Sequence, residues 1–165
     1  MSTVVLTLGD DVSTDVIYPG RYMATVLPTE TPQFAFADLT DFNAKLKAGQ
    51  VPPGSVIVAG KNFGCGSSRE QAVSTLKGHE LVIVAKGFAR IFLQNSVNLG
   101  LELVDVPDLE AKDGDELEVS ADVVVNVTTG KRFRRLPLPP ARAEIVKAGG
   151  LIAYTRRRLM GSART

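Results

Sequence analysis

Between residues 55 and 106, short apolar runs alternate with segments of helical periodicity. SVIVAG (55–60) is followed by REQAVSTLKG (69–78), with Ala72, Val73 and Leu76 at helical spacing. ELVIVA (80–85) then precedes a second helix-like stretch with Phe88, Ile91 and Phe92 on one side, and LGLELVDV (99–106) closes the series. A helical crossover returns the chain to the end of the sheet where the previous strand began, so the pattern predicts parallel pairing. TVVLTL (3–8) is a further strand. DELEVSADVVVNVTTGKRFRRLPL, broken by Ser120-Ala121-Asp122 and Thr129-Gly130, predicts antiparallel hairpins. The fold class is therefore α/β, with a mainly parallel core and C-terminal hairpins.

The remaining segments add detail. ADLTDFNAKLKAGQ, with Phe42, Leu46 and Ala48 at helical spacing, predicts a short surface helix after a loop-rich region over 24–40. ARAEIVKAGG predicts a helix ended by glycine. A chain of 165 residues suits one domain. We assign it to residues 1–158 with a flexible tail over 159–165, and fraying is expected from Arg156. No internal repeat or low-complexity linker interrupts it.

With 22% charged residues and a net charge of +1, the chain has no broad nucleic-acid-binding charge, and nucleic acid is not an expected partner. No run reaches the roughly 20 apolar residues of a membrane span. The N-terminus has no secretory pattern, so a cytoplasmic, reduced compartment is expected and no membrane partner. One cysteine, Cys65, and one histidine, His79, supply neither a disulfide nor a metal cluster.

Chemistry concentrates in KNFGCGSSREQ (61–71), a glycine-rich strand-to-helix turn. Backbone N–H groups at a helix N-terminus favour an anion, and Arg69 adds a potentially bidentate donor. The P-loop spacing is missing, so phosphate is not preferred over carboxylate. Ser67-Ser68-Arg69-Glu70 fits a capping box with Ser67 as N-cap, and Ser68 with Gln71 fits one residue later, so one serine can cap while the other faces the crevice. Cys65 reads as a small buried thiol and His79 as a surface or loop residue. Asp10, Asp11 and Asp15 form turns or caps, or belong to a second site loop, GDDVSTDVIYPGRYM.

GKNFGCGSSRE (60–70), DDVSTDVIYPGRYM (10–23) and GFARIFLQNSVNLGL (87–101) together closely resemble the small subunits of isopropylmalate dehydratases, the detached swivel domains of the aconitase family. The resemblance covers most of residues 3–106 in the family's order. It implies a β/β/α swivel domain acting in a hydro-lyase of leucine biosynthesis that removes and re-adds water on an alkylmalate-type acid. It also implies a large-subunit partner, in a heterodimer or heterotetramer, that carries a [4Fe-4S] cluster, with no cofactor bound by this chain.

By the same resemblance, Ser67 is the base acting as an alkoxide, Ser68 and Arg69 bind a carboxylate of the small di-acid substrate, and Asp15 organises the site. Met23, Ala24 and Thr25 lie in the specificity loop. Two features depart from the usual pattern. Gln71 stands where most members carry histidine, and Tyr22-Met23-Ala24-Thr25 stands where tricarboxylate-type members resemble YLRT. Substrates in the same class include citraconate and 2,3-dimethylmalate. The other class of reading is a non-catalytic anion-binding module in which Ser67 only caps a helix.

Overall fold

The runs VIVA at 56–59 and VIVA at 82–85 form the centre of the sheet, because a parallel strand covered on both faces needs apolar side chains at consecutive positions. The computed structural model describes residues 1–162. Its parallel strands are β1 (Ser2–Thr7), β2 (Val56–Ala59), β3 (Val82–Ala85) and β4 (Leu103–Asp105). An antiparallel extension adds β5 (Glu116–Val119), β6 (Val123–Asn126) and β7 (Lys131–Arg134), giving the order β4-β3-β2-β1-β5-β6-β7. β2 and β3 pair residue for residue, Val56 with Val82 through Ala59 with Ala85.

Strand alternation divides the interior in two. Ile57, Ala59, Ile83 and Ala85 face a helical layer with Ile17, Phe36, Phe63, Val73, Leu76 and Phe92. Val56, Val58 and Val84 face the other way and pack with Leu117, Val124 and Phe133 of the antiparallel strands, so the mixed sheet curls over its own second face. The parallel core, the hairpins and the α/β class are as the sequence predicts.

The helices are α1 (Thr14–Ile17), α2 (Thr40–Lys47), α3 (Glu70–Gly78), α4 (Arg90–Leu99), α5 (Pro140–Lys147) and α6 (Leu151–Ser162). Ala72, Val73 and Leu76 are fully buried on α3, as their spacing predicts. α4 differs from expectation. The helix begins only at Arg90, so Phe88 lies outside it, and Ile91 is 49% exposed while Phe92, Ser96 and Val97 face inward.

The C-terminus also differs from the expected fraying at 156, because α6 is helical to Ser162. Residues 163–165 of the expected tail lie outside the described residues. α6 is anchored at its start. Gly100 closes α4 at φ +76, and a Cβ there would lie 2.5 Å from the carbonyl carbon of Gly149. The two turns therefore touch backbone to backbone, and Lys77 Nζ donates to the carbonyls of Leu99 and Gly149. No helix among the described residues is long and apolar enough to cross a membrane.

Candidate active site

Two loops, 50 to 54 residues apart in sequence across the hydrogen bonds that join them, lie side by side beyond the C-terminal ends of β1 and β2. The backbone N–H of Asp11 donates to the Lys61 carbonyl at 2.9 Å, that of Gly64 to Val12 at 2.7 Å and that of Thr14 to Cys65 at 2.9 Å. Side chains complete the junction: Asp10 accepts from the Lys61 N–H at 2.7 Å, and Asp11 accepts from the Asn62 side-chain amide at 2.8 Å. Asp11 and Asn62 both take positive φ, which short polar side chains tolerate. Asp10 and Asp11 are thus turn formers.

Gly64 lets the second loop turn. Its φ is +83, and a Cβ would lie 2.5 Å from Cβ of Phe92, a buried ring that packs edge-on against Phe63. Gly64→Ala combines left-handed strain with overpacking, for an expected destabilisation of about 2–5 kcal/mol. A fall in urea midpoint measures it, and a variant as stable as the parent contradicts this account of the turn.

Neither serine caps α3. The N-cap is Arg69, with no side-chain cap bond, so the capping-box expectation for Ser67 or Ser68 is corrected. The cause is non-local. The Ser67 carbonyl accepts from the Arg69 N–H at 2.9 Å and from Thr14 Oγ1 at 3.0 Å, and Thr14 Oγ1 lies 3.3 Å from Ser67 Oγ. The helix therefore starts two residues later than a Ser67 cap would place it, which leaves both exposed serines at its mouth.

Arg69 is held from the other loop. Its Nη1 donates to Asp15 Oδ1 at 2.6 Å and to the Tyr18 carbonyl at 3.2 Å, and its side chain is 19% exposed. Asp15 also accepts from the Gly20 N–H at 2.8 Å. The Arg69 hydrogen bond, followed by the Gly20 N–H, holds the Asp15 carboxyl below the usual carboxylate range.

Gly20, Met23, Ser67, Ser68, Arg69, Glu70 and Gln71 line an open cavity of about 540 Å³. Of the expected specificity loop, Met23 lines it. Ala24 is exposed beside it, and Thr25 offers its carbonyl to the Tyr18 hydroxyl at 3.3 Å. Gln71 Nε2 donates to the Met23 carbonyl at 3.2 Å, tying the loop to α3. Arg21, the cation nearest the loop in sequence, is engaged by Asp38 through both terminal nitrogens, at 2.5 and 3.2 Å. Sequence reasoning missed Thr14, Tyr18 and Gly20, whose roles depend on contacts across the two loops. The only available signal was that Thr14 sits between Ser13 and Asp15.

Cys65 is half-buried, and His79 Nε2 lies 2.7 Å from the Pro32 carbonyl past the far end of α3. No group of three metal-ligating side chains occurs among the described residues. This donor set does not fit an iron–sulfur cluster, which needs several thiolates together.

The aconitase C-terminal domain family matches residues 17–108. The 3-isopropylmalate dehydratase small subunit of Thermodesulfovibrio yellowstonii is 41% identical, over 92% of this chain and 90% of that protein. The isopropylmalate/citramalate isomerase small subunit of Methanocaldococcus jannaschii is 42% identical, over 93% and 92%. The crystal structure of 3-isopropylmalate dehydratase (leuD) from the same organism superposes with a TM-score of 0.87 at 39% identity, covering 99% of this chain and 98% of that one.

Proposed function

The chain belongs to the 3-isopropylmalate dehydratase small-subunit family, built on the aconitase C-terminal domain, and from that membership we propose that it is the serine-bearing half of a two-subunit hydro-lyase. The observation that carries the reading is the convergence of Ser67, Ser68 and Arg69 at the start of α3, with Arg69 fixed by Asp15. A helix N-terminus and a guanidinium together suit a substrate carboxylate.

As an alkoxide, Ser67 Oγ takes the proton from the carbon next to that carboxylate: the C–H bond breaks and an O–H bond forms, the C–H electron pair becomes the carbon–carbon double bond as the neighbouring C–OH bond breaks and its pair leaves with the hydroxyl, and Ser67 holds the proton for return when water is re-added. Ser68 and Arg69 orient the carboxylate during both halves. An alkoxide needs a water-poor site, whereas Ser67 is exposed in the isolated chain. A large subunit covering this mouth supplies that exclusion. A [4Fe-4S] cluster held by that subunit would supply a Lewis acid for the departing hydroxyl.

The isolated chain, treated anaerobically with iron and sulfide, is expected to hold no stoichiometric cluster and to interconvert no isopropylmalates. Turnover is expected once a cluster-bearing large subunit is added. Turnover with a cluster on this chain alone overturns the two-subunit reading, and a complex that assembles but stays inactive favours the anion-binding module.

The substrate is an alkylmalate-type acid. An additional carboxylate in a water-excluded pocket needs a second cation, but among the described residues Arg69 is the one arginine lining the cavity and Arg21 is paired with Asp38. Citramalate or citraconate use is the second reading, favoured by the name of the M. jannaschii relative. One methylene in an apolar pocket separates such substrates by only about 1–3 kcal/mol. Comparison of kcat/KM is expected to show rejection of homoaconitate and mild discrimination among 3-isopropylmalate, citraconate and 2,3-dimethylmalate. Ala24→Arg is expected to improve use of homoaconitate, and a parent enzyme that prefers homoaconitate contradicts this account.

A further inference from the structure

We propose that Thr14 is a positioning residue for Ser67, a buried donor that switches from the Ser67 carbonyl to Ser67 Oγ when that oxygen is ionised. The inference rests on the reading of Ser67 as the base. Thr14 is 2% exposed, unlike the serine it touches. Its backbone is pinned at both ends, since its N–H donates to the Cys65 carbonyl at 2.9 Å and its carbonyl accepts from the Tyr18 N–H at 2.8 Å. The neighbouring hydroxyl, Ser13 Oγ, is committed to capping α1 by accepting from the Val16 N–H.

Thr14 has one hydroxyl hydrogen and two acceptors within reach, the Ser67 carbonyl at 3.0 Å and Ser67 Oγ at 3.3 Å. While Ser67 is protonated, Thr14 donates to the carbonyl and can accept from the Ser67 O–H. When Ser67 is an alkoxide, rotation of the Thr14 hydroxyl gives the charged oxygen a donor, a stronger, charge-assisted bond. Burial of Thr14 keeps water from competing and strengthens the bond further. Thr14 keeps its own proton throughout; the proton that moves passes from the substrate carbon to Ser67 Oγ. The backbone turn that places Ser67 beside Thr14 also explains why the serine is not spent on capping.

The test uses the complex assembled with the large subunit. Thr14→Val removes the hydroxyl at nearly constant volume, and Thr14→Ala is a second removal should the valine variant fail to fold. Loss of one preorganised donor is expected to lower kcat by about 10- to 100-fold. KM should change by no more than about twofold, and the ascending limb of the kcat–pH profile should move to higher pH, because the alkoxide loses stabilisation. Thr14→Ser, which keeps the donor, is expected to restore most of the rate and return the limb towards its parental position. A removal variant with parental kcat and pH profile overturns the proposal. So does Thr14→Ser being as slow as Thr14→Val, which indicates packing alone. Ser67→Ala is measured alongside: if it retains turnover, the base reading and this inference both fall, whereas an inactive Ser67→Ala with a parental Thr14→Val removes only the switch.

Discussion

Ser67→Ala is expected to reduce turnover of the assembled complex by at least about 10²-fold, the usual worth of a positioned proton-transfer group. The fold and the association of the subunits should be nearly unchanged. The separation of the two effects follows from the position of the side chain. A serine used as an N-cap costs about 1 kcal/mol of stability when removed, but Ser67 is not the cap of α3; Arg69 is, without a side-chain bond. The contact that alanine loses is the one between Ser67 Oγ and Thr14, while the Ser67 carbonyl keeps its bonds from Thr14 and the Arg69 N–H. The thermal midpoint and the co-purifying large subunit report on structure. Exchange of the substrate C–H with deuterated water reports on the base and should be lost together with turnover. A variant that still exchanges that hydrogen assigns the base to another residue.

What the sequence discloses about this fold follows the range of the interactions involved. Consecutive apolar residues at 56–59 and 82–85 are a local signal of strands covered on both faces, so the parallel core is readable directly. Phe88, Ile91 and Phe92 read as one face only if the helix reaches back to Phe88, whereas α4 begins at Arg90 and buries Phe92, Ser96 and Val97, leaving Ile91 outside that face. Ser67-Ser68-Arg69-Glu70 likewise contains a complete local capping signal, which loses to bonds from Thr14 in a loop 53 residues earlier. Residues of the site were legible as types, since glycine, serine and arginine at a helix start point to an anion. How Asp15 meets Arg69 depends on two loops being joined, and no local pattern encodes that pairing.

Arg69→Lys is expected to lower kcat/KM by roughly 10²-fold or more, through loss of both its tether and its fork. The guanidinium divides its donors: Nη1 is held by Asp15 Oδ1 and the Tyr18 carbonyl, while Nη2 and Nε take no part in those bonds. An ammonium is a point charge that cannot be pinned on one edge and present a planar pair of donors on the other. Gly20 supports this geometry, since a Cβ there would lie 3.2 Å from Nη2. Asp15→Asn keeps the guanidinium but weakens its tether, so a smaller loss, mainly in KM, is expected. Asp15 has a lowered pKa in the folded chain, so the pair's contribution is fully present above the ordinary carboxylate value of about 4 and is lost as pH falls through the lower folded value. Between about pH 5 and pH 8 Asp15 therefore stays ionised, and the ratio of parental to Asp15→Asn KM should be flat across that range. A ratio that changes steeply near neutrality contradicts a permanently ionised Asp15. Arg69→Lys with parental kcat/KM removes the guanidinium from carboxylate recognition and leaves the backbone at the start of α3 as the anion site.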